Sequence, residues 1–369
     1  MNLPTYFADF LKDISPIHSQ QEQMRDAHTQ LRDRLEKDED LAPIVLGTFV
    51  QGSYRRHTGT KGSPEHPCDV DVVVVTNVPK NQYTAAHTLD LFIPFLDRHY
   101  EGRYESQDRS WCIKIDDEVK LDLVPTAEPG DSIRRLVKAK ALDGGAFLRA
   151  ERSFTPSAET KSLDDVILEV AATEAGWDSG EPLWIPDRDR RHWDRTHPIF
   201  QIKWTAAKNQ QCAGHFVKVV KATKWWKRFQ QPLPKYPKSY PLEHIVGECC
   251  PDGIESVAEG LMLTFERIRD EYADHATRGV TPFIPDRALP GNNVLQRVSG
   301  EDFAGFHARV REAADLARAA LEKEDISASA KLWRRLLGDS FPKPPNGAEV
   351  RGGFTPRRSP SKPQKGRFA

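Results

Sequence analysis

Asp69 and Asp71 stand two residues apart at the head of a run, Asp69–Thr76 (DVDVVVVT), that has almost no polar face beyond its first turn. A strand of that composition is covered on both faces, so it belongs inside a sheet. Residues two apart on a strand point to the same side, so both carboxylates project together from the start of a buried element. Taking two like charges out of water side by side is costly unless something positive sits between them. Asp122 repeats the anomaly, as the one acid within the apolar stretch Leu121-Asp122-Leu123-Val124. If the two strands are neighbours, three carboxylates converge on one spot. Hard oxygen ligands with positions left open suit Mg²⁺, with Mn²⁺ as an alternative. Two such ions, about 3.5–4 Å apart, clamp the attacking hydroxyl and the leaving pyrophosphate of an in-line displacement.

Gly52-Ser53 closes the β-rich stretch Pro43–Gln51 (PIVLGTFVQ). Glycine lets a phosphate approach the backbone, the serine hydroxyl adds a hydrogen bond, and a following helical turn offers free N–H groups to an anion. Alone, an Asp-x-Asp pattern is commonly an edge or a turn, and a Gly-Ser pair a turn. The three features together are hard to explain structurally.

The rest of the pattern predicts an α/β first portion and a helix-dominated second. Residues 16–37 read as a long helix with Ile17, Met24, His28, Leu31 and Leu35 on one face. Thr84–Arg98 reads as an amphipathic helix, and Trp111–Ile115 with Val119–Val124 as a hairpin around Asp116-Asp117. Residues 126–200 read as irregular and polar, with short helices near 131–141 and 162–171. Helical periodicity returns over 201–230, 242–249, 254–276, 301–322 and 327–337. This divides the chain into a catalytic portion (1–130), a helical portion (131–341) and a tail (342–369).

Composition bounds the function. The 369 residues carry a net charge of −1, which excludes a grossly basic or polyacidic chain. That average hides a division. The tail holds seven basic residues and one acid, which leaves 46 basic against 53 acidic residues before it. Its six prolines, four glycines and few apolar groups predict disorder. No apolar run approaches the roughly 20 residues of a membrane helix, and no signal peptide is expected. Five cysteines without zinc-type spacing fit a reducing cytoplasm, with Cys249-Cys250 read as packing at a helix end.

The Gly-Ser, spaced Asp-x-Asp and later single-Asp pattern resembles the polymerase-β-like nucleotidyltransferase superfamily. More narrowly, the chain resembles the bacterial cGAS/DncV-like nucleotidyltransferases, the signal synthases of CBASS antiphage systems. The segments that carry this are Ile185-Pro186-Asp187-Arg188 through Trp193 to Pro198, Lys221–Trp226, Lys238-Ser239-Tyr240-Pro241-Leu242-Glu243, Asn292-Asn293, and Ala330–Trp333 to Asp339–Pro342. The resemblance implies an α+β, two-lobed fold with a mixed-sheet catalytic lobe and a helical C-terminal lobe. It implies a Mg²⁺-dependent enzyme that joins nucleoside triphosphates such as ATP and GTP into a cyclic di- or trinucleotide and releases pyrophosphate. Asp69, Asp71 and Asp122 would be catalytic and metal-binding, and Gly52 and Ser53 would hold the triphosphate.

Lys218, Lys221, Lys224 and Lys227 recur every three residues, and a solvated helical face accounts for any one of them. In the resembling family a lysine of this helix and a following serine meet the triphosphate. The matching positions are Lys224 and Ser239, with Lys221 one turn away as the second candidate. Tyr54 and Tyr240 are suited equally to base stacking and to core packing. The spacer between Ser53 and Asp69 is long, which predicts an enlarged loop (His57–Pro67) near the triphosphate. The resemblance also implies conjugation through the terminal Ala369 by an E1/E2-like ligase, and a downstream effector that the product activates. It implies neither a membrane nor an obligatory nucleic-acid partner. The competing expectations are another nucleotidyltransferase of the superfamily, tailing RNA or modifying protein, and a catalytically inert nucleic-acid sensor.

Overall fold

The computed structural model describes residues 1–131, 134, 181–230, 232 and 235–344. The helices expected near 131–141 and 162–171, and the tail from 345 with Ala369, lie outside the described residues.

Five strands form one mixed sheet: β1 (Val45–Gln51), β2 (Cys68–Thr76), β3 (Tyr104–Ser106), β4 (Trp111–Lys114) and β5 (Val119–Pro125), in the order β1-β2-β5-β4-β3. β2 runs antiparallel to β1 and parallel to β5, and β4 pairs antiparallel with β5. The valine run of β2 therefore lies between two neighbours, as its composition predicts. One face of the sheet, with Val72, Val74, Leu121 and Leu123, packs under α2 (His18–Lys37) and the short helices α4 (Ala85–Asp90) and α5 (Ile93–Tyr100). The other face, with Phe49, Val73 and Val75, is covered by Leu183, Ile199 and Ile202.

That cover includes an element the sequence reading had left irregular. Strands β6 (Leu183–Asp187) and β7 (His192–Thr196) pair antiparallel within residues 126–200. Their side chains are held by ion pairs more than by apolar alternation, so periodicity did not reveal them. The helix expected over Thr84–Arg98 is broken. Pro94 has no N–H to donate back, and its ring opposes the carbonyl of Asp90, where α4 ends. The periodicity over 201–230 is likewise two helices, α6 (Pro198–Gln211) and α7 (Phe216–Phe229). Ala213 and Gly214, both with positive φ, lie in the turn between them. That expected over 254–276 is also two helices.

The helical lobe follows with α8 (Ser239–Cys249), α9 (Val257–Glu271), α10 (Ala273–Thr277), α11 (Gly300–Glu322) and α12 (Ile326–Leu337). Cys249 ends α8 and Cys250 follows it, both fully buried and unpaired. α3 (Gly52–Arg55) is the helical turn expected directly after β1. A further helix was missed. α1 (Pro4–Asp13) belongs to the helical core although it precedes the catalytic sheet in the chain. Phe7 meets Trp333 and Phe341 edge-on, with centroids 5.0 and 5.2 Å apart, and Phe10 lies 5.7 Å from Phe341. The start of the chain therefore packs across the boundary expected at residue 130. Ile17, expected on the buried face of α2, instead precedes the helix at 44% exposure.

If α1 staples the helical core, Phe10→Ala should cost about 3–5 kcal/mol. Chemical denaturation should show that loss. A change under 1 kcal/mol would mean that α1 contributes little to the core.

Candidate active site

Strand register brings the carboxylates together. In the parallel pairing of β2 with β5, Asp71 lies directly opposite Asp122, with Asp69 two residues earlier on the same face. One oxygen from each of the three side chains falls within 4.8 Å of the others. Burial first, then Asp69 and Asp122, push the Asp71 carboxyl from its ordinary 3.8 up to about 8, against the opposing pull of Arg56. Burial pushes Asp122 up to about 6, although Lys120 opposes it. Asp122 Oδ1 is buried without a hydrogen-bond partner. An orphaned oxygen among converging acids is the donor set a divalent cation satisfies, so Mg²⁺ fits these residues.

The same register places Gly52. Gln51, the last residue of β1, pairs with Asp71, and the chain turns immediately afterwards. Gly52 has φ +76°, and a Cβ there would lie 1.9 Å from Asp71 Oδ2. Both the backbone conformation and the space therefore require glycine. Ser53 follows in α3, and its carbonyl accepts the Thr58 N–H at 2.9 Å. Because α3 is one turn long, the expected helix N-terminus supplies no extended dipole. What the turn does provide is bare backbone at Gly52, close to the Asp71 carboxylate.

Across from this turn stands a wall from the helical lobe. Lys221 and Lys224 of α7 and Ser239, which opens α8, line a cavity of about 1200 Å³ together with Gly52, Ser53, Asp69 and Asp71. The two lysines differ. Lys221 donates to Ser15 Oγ at 3.1 Å and pairs with no carboxylate among the described residues. Burial, with Lys224 alongside, pushes its ammonium down to about 8. Lys224 instead forms an ion pair with Glu243 and donates to the Thr58 carbonyl at 3.1 Å.

The enlarged loop is a second wall. Its Lys61 N–H donates to the Ile14 carbonyl at 2.7 Å. Arg228 of α7 donates to the Lys61 carbonyl at 2.7 Å, and Gln20 of α2 bonds both the N–H and the carbonyl of Gly62 at 3.2 Å. Tyr240 and Tyr54 both line the cavity; the Tyr240 hydroxyl donates to Asp286 Oδ2 at 2.6 Å, and Tyr54 also packs against two apolar clusters of the sheet.

Three charged residues at this site were missed: Arg56, Glu243 and the hub Asp187. Asp187 is fully buried and accepts from Arg109 at 3.1 Å, Arg297 at 2.8 Å and the Arg190 N–H at 2.9 Å. Burial acts to raise its carboxyl, and these donors outweigh it. The available signal was weak: each acid directly follows an apolar residue, in Leu242-Glu243 and Pro186-Asp187, but precedes His244 or Arg188.

Comparison with known proteins agrees with this geometry. Residues 1–139 match the family described as the Second Messenger Oligonucleotide or Dinucleotide Synthetase domain. The chain is 38% identical, over the whole of both proteins, to a cyclic AMP-AMP-GMP synthase of Enterobacter hormaechei subsp. hoffmannii. It is 29% identical to a cyclic AMP-AMP-AMP synthase of an Acinetobacter strain, over 93% of this chain and 86% of that one. The fold is shared with the CD-NTase CdnG of Bradyrhizobium diazoefficiens, solved with GTP, at a TM-score of 0.66 and 15% identity over 90% and 94% of the two chains.

A carboxyl whose value is raised by folding adds stability that is present below its unfolded value and lost as pH rises through its folded value. Metal-free protein should therefore lose thermal stability as pH rises from about 4 to 8. Asp71→Asn should flatten that decline and raise the metal-free midpoint at pH 8 by several degrees. Mg²⁺ should stabilise the wild type and not the variant. Parallel pH–melting curves for the two proteins would refute this assignment.

Proposed function

The chain belongs to the bacterial cGAS/DncV-like nucleotidyltransferase family, and from that premise we propose that it joins nucleoside triphosphates into a cyclic oligonucleotide messenger for CBASS defence. The observation that carries this reading is Asp71 opposite Asp122, with Asp69 beside them, at a cavity between two lobes. Its volume, about 1200 Å³, exceeds the roughly 300–1000 Å³ usual for one small ligand, which suits two nucleotides held together. The full-length relative named a cyclic AMP-AMP-GMP synthase favours a trinucleotide of adenine and guanine over a dinucleotide.

Asp69, Asp71 and Asp122 would hold two Mg²⁺ ions, which when bound neutralise the reacting phosphates and lower the barrier to deprotonating an attacking ribose hydroxyl. Gly52 admits the donor phosphates to the backbone, and Ser53 and Ser239 offer hydroxyls from opposite lobes. Lys224 and Lys221 supply positive charge to the same phosphates. Asp122, as one of these ligands, would help activate the attacking hydroxyl. The linear product then turns within the cavity; a third nucleotide is joined with loss of a second pyrophosphate, and the free hydroxyl closes the ring with loss of a third. The chain's part is positioning and charge neutralisation. The three carboxylates disfavour an inert sensor.

Purified protein with an NTP mixture and Mg²⁺ should yield phosphatase-resistant oligonucleotides of cyclic mass. Asp69→Asn with Asp71→Asn should lower the yield by about 10³-fold or more. Full activity in that variant would overturn the assignment.

We propose further, from the resemblance to CBASS synthases, that the basic segment carrying Lys365-Gly366-Arg367-Phe368-Ala369 is a conjugation handle for an E1/E2-like ligase. Deleting Phe368-Ala369 should abolish covalent adducts when the ligase is co-expressed and leave nucleotide synthesis unchanged. Adducts that persist would rule the handle out.

A further inference from the structure

One largely buried carboxylate, Glu243, lies at the cavity wall near Gly52, Ser53 and Lys224, and each lobe sends it a cation. Arg56 follows the Gly52-Ser53 turn and donates to Glu243 Oε2 from Nε at 3.3 Å and from NH2 at 2.9 Å. Thr58 donates its hydroxyl to Oε1 at 3.0 Å. From the helical lobe, the Lys224 ammonium pairs with the same Oε1. Its remaining bond, to the Thr58 carbonyl at 3.1 Å, returns to the loop after the turn. Both side chains of each ion pair are about nine-tenths buried. Burial would raise the Glu243 carboxyl, but Arg56 and Lys224 outweigh it and hold it at about 2. Below Glu243 on α8, Arg287 donates to the carbonyls of Glu243 and His244 at 3.1 and 2.6 Å, which fixes the backbone that carries the carboxylate.

Stability alone is a poor reason for this arrangement. A buried ion pair seldom outperforms apolar packing of the same volume, because desolvation offsets the attraction. What Glu243 does provide is registration. Without it, Lys224 would keep its bond to the Thr58 carbonyl but lose its counter-charge, and Arg56 and Thr58 would lose their partner on the helical lobe.

Resting on the nucleotidyl-transfer reading, we propose that Glu243 is a positioning residue for the donor triphosphate. It fixes the Lys224 ammonium at the cavity wall and, through Arg56 and Thr58, sets the Gly52-Ser53 turn against the same point. Phosphate contacts from the two lobes are thereby registered by one carboxylate that does not itself touch the nucleotide.

The test is a double-substitution cycle read by equilibrium binding of a non-hydrolysable NTP with Mg²⁺, alongside KM and kcat. Glu243→Gln keeps the shape and removes the charge. It should weaken NTP binding about tenfold and raise KM more than it lowers kcat. Lys224→Met should weaken binding comparably. Because Glu243 acts through Lys224, adding Glu243→Gln to Lys224→Met should cost no more than about a further twofold. Fully additive losses would overturn the proposal, since they would mean that Glu243 serves the fold independently of the lysine. If Glu243→Gln alone does not fold, a triple variant that also carries Lys224→Met and Arg56→Met should, because it strands neither buried cation; failure of both to fold also overturns it. Binding reports on the clamp separately from the reaction. A wild type that binds NTP and makes no cyclic product refutes the reaction while the cycle remains readable. A wild type that binds no NTP refutes both.

Discussion

The structure is organised around a repulsion. Asp71 and Asp122 face each other across parallel strands, with Asp69 beside them, in a site that is only partly exposed to water. Like charges so placed are tolerable only with a counter-charge or a proton, and the raised Asp71 carboxyl records that cost. The surrounding features accommodate it. β2 must run inside the sheet so that β5 can lie alongside in register. The chain must turn at Gly52, because Gln51 is paired to Asp71 and no side chain fits beside its carboxylate. That turn brings bare backbone close to the carboxylates. A metal-bound polyphosphate relieves the repulsion, so the site is most stable when occupied by the species on which it is proposed to act.

Two further buried carboxylates address a different problem, that of holding two lobes at a fixed separation. Glu243 takes Arg56 from the catalytic lobe and Lys224 from the helical one. Asp187, on β6, takes Arg109 from the loop between β3 and β4 and Arg297 from the helical lobe. Each is a single acid gripped by a cation from each side, and the cavity between the lobes is lined by residues of both clusters. Removing one partner of such a pair strands a buried charge and costs about 3–5 kcal/mol. Separating the lobes would break several of these contacts at once. The cavity is therefore held open to a set width by charge, where apolar packing would tend to close it.

Legibility in the sequence followed the physics of each feature. The triad could be read because three acids violated apolar strands, and a violated pattern is visible in one dimension. Gly52-Ser53 could be read because it ended such a strand. Helices α2, α9 and α11 announced themselves by apolar spacing. The breaks at Pro94 and at Ala213-Gly214 were local events inside a continuing periodicity, which averaging over a window conceals. β6 and β7 escaped because their cohesion comes from arginine–aspartate contacts to residues about 80 to 110 positions away, such as Asp187 with Arg109 and Arg297. α1 escaped for a related reason. Its aromatic face is explained by Trp333 and Phe341, more than 300 residues on. Lys224 was identified by its position in the chain, but its pairing with Glu243 depends on how α7 and α8 are packed.

These elements bear on ring closure. A linear intermediate must present its free hydroxyl to the carboxylates that activated the first one, which requires it to turn relative to the sheet. Parting the lobes would disrupt both clamps and expose the acids to solvent. Rotation inside a cavity of about 1200 Å³ breaks only contacts to the nucleotide itself. With Glu243 and Asp187 holding the walls, the second path is the cheaper one. The intermediate is then retained beside its own reactive end at high effective concentration, a condition that favours cyclisation over release or further extension.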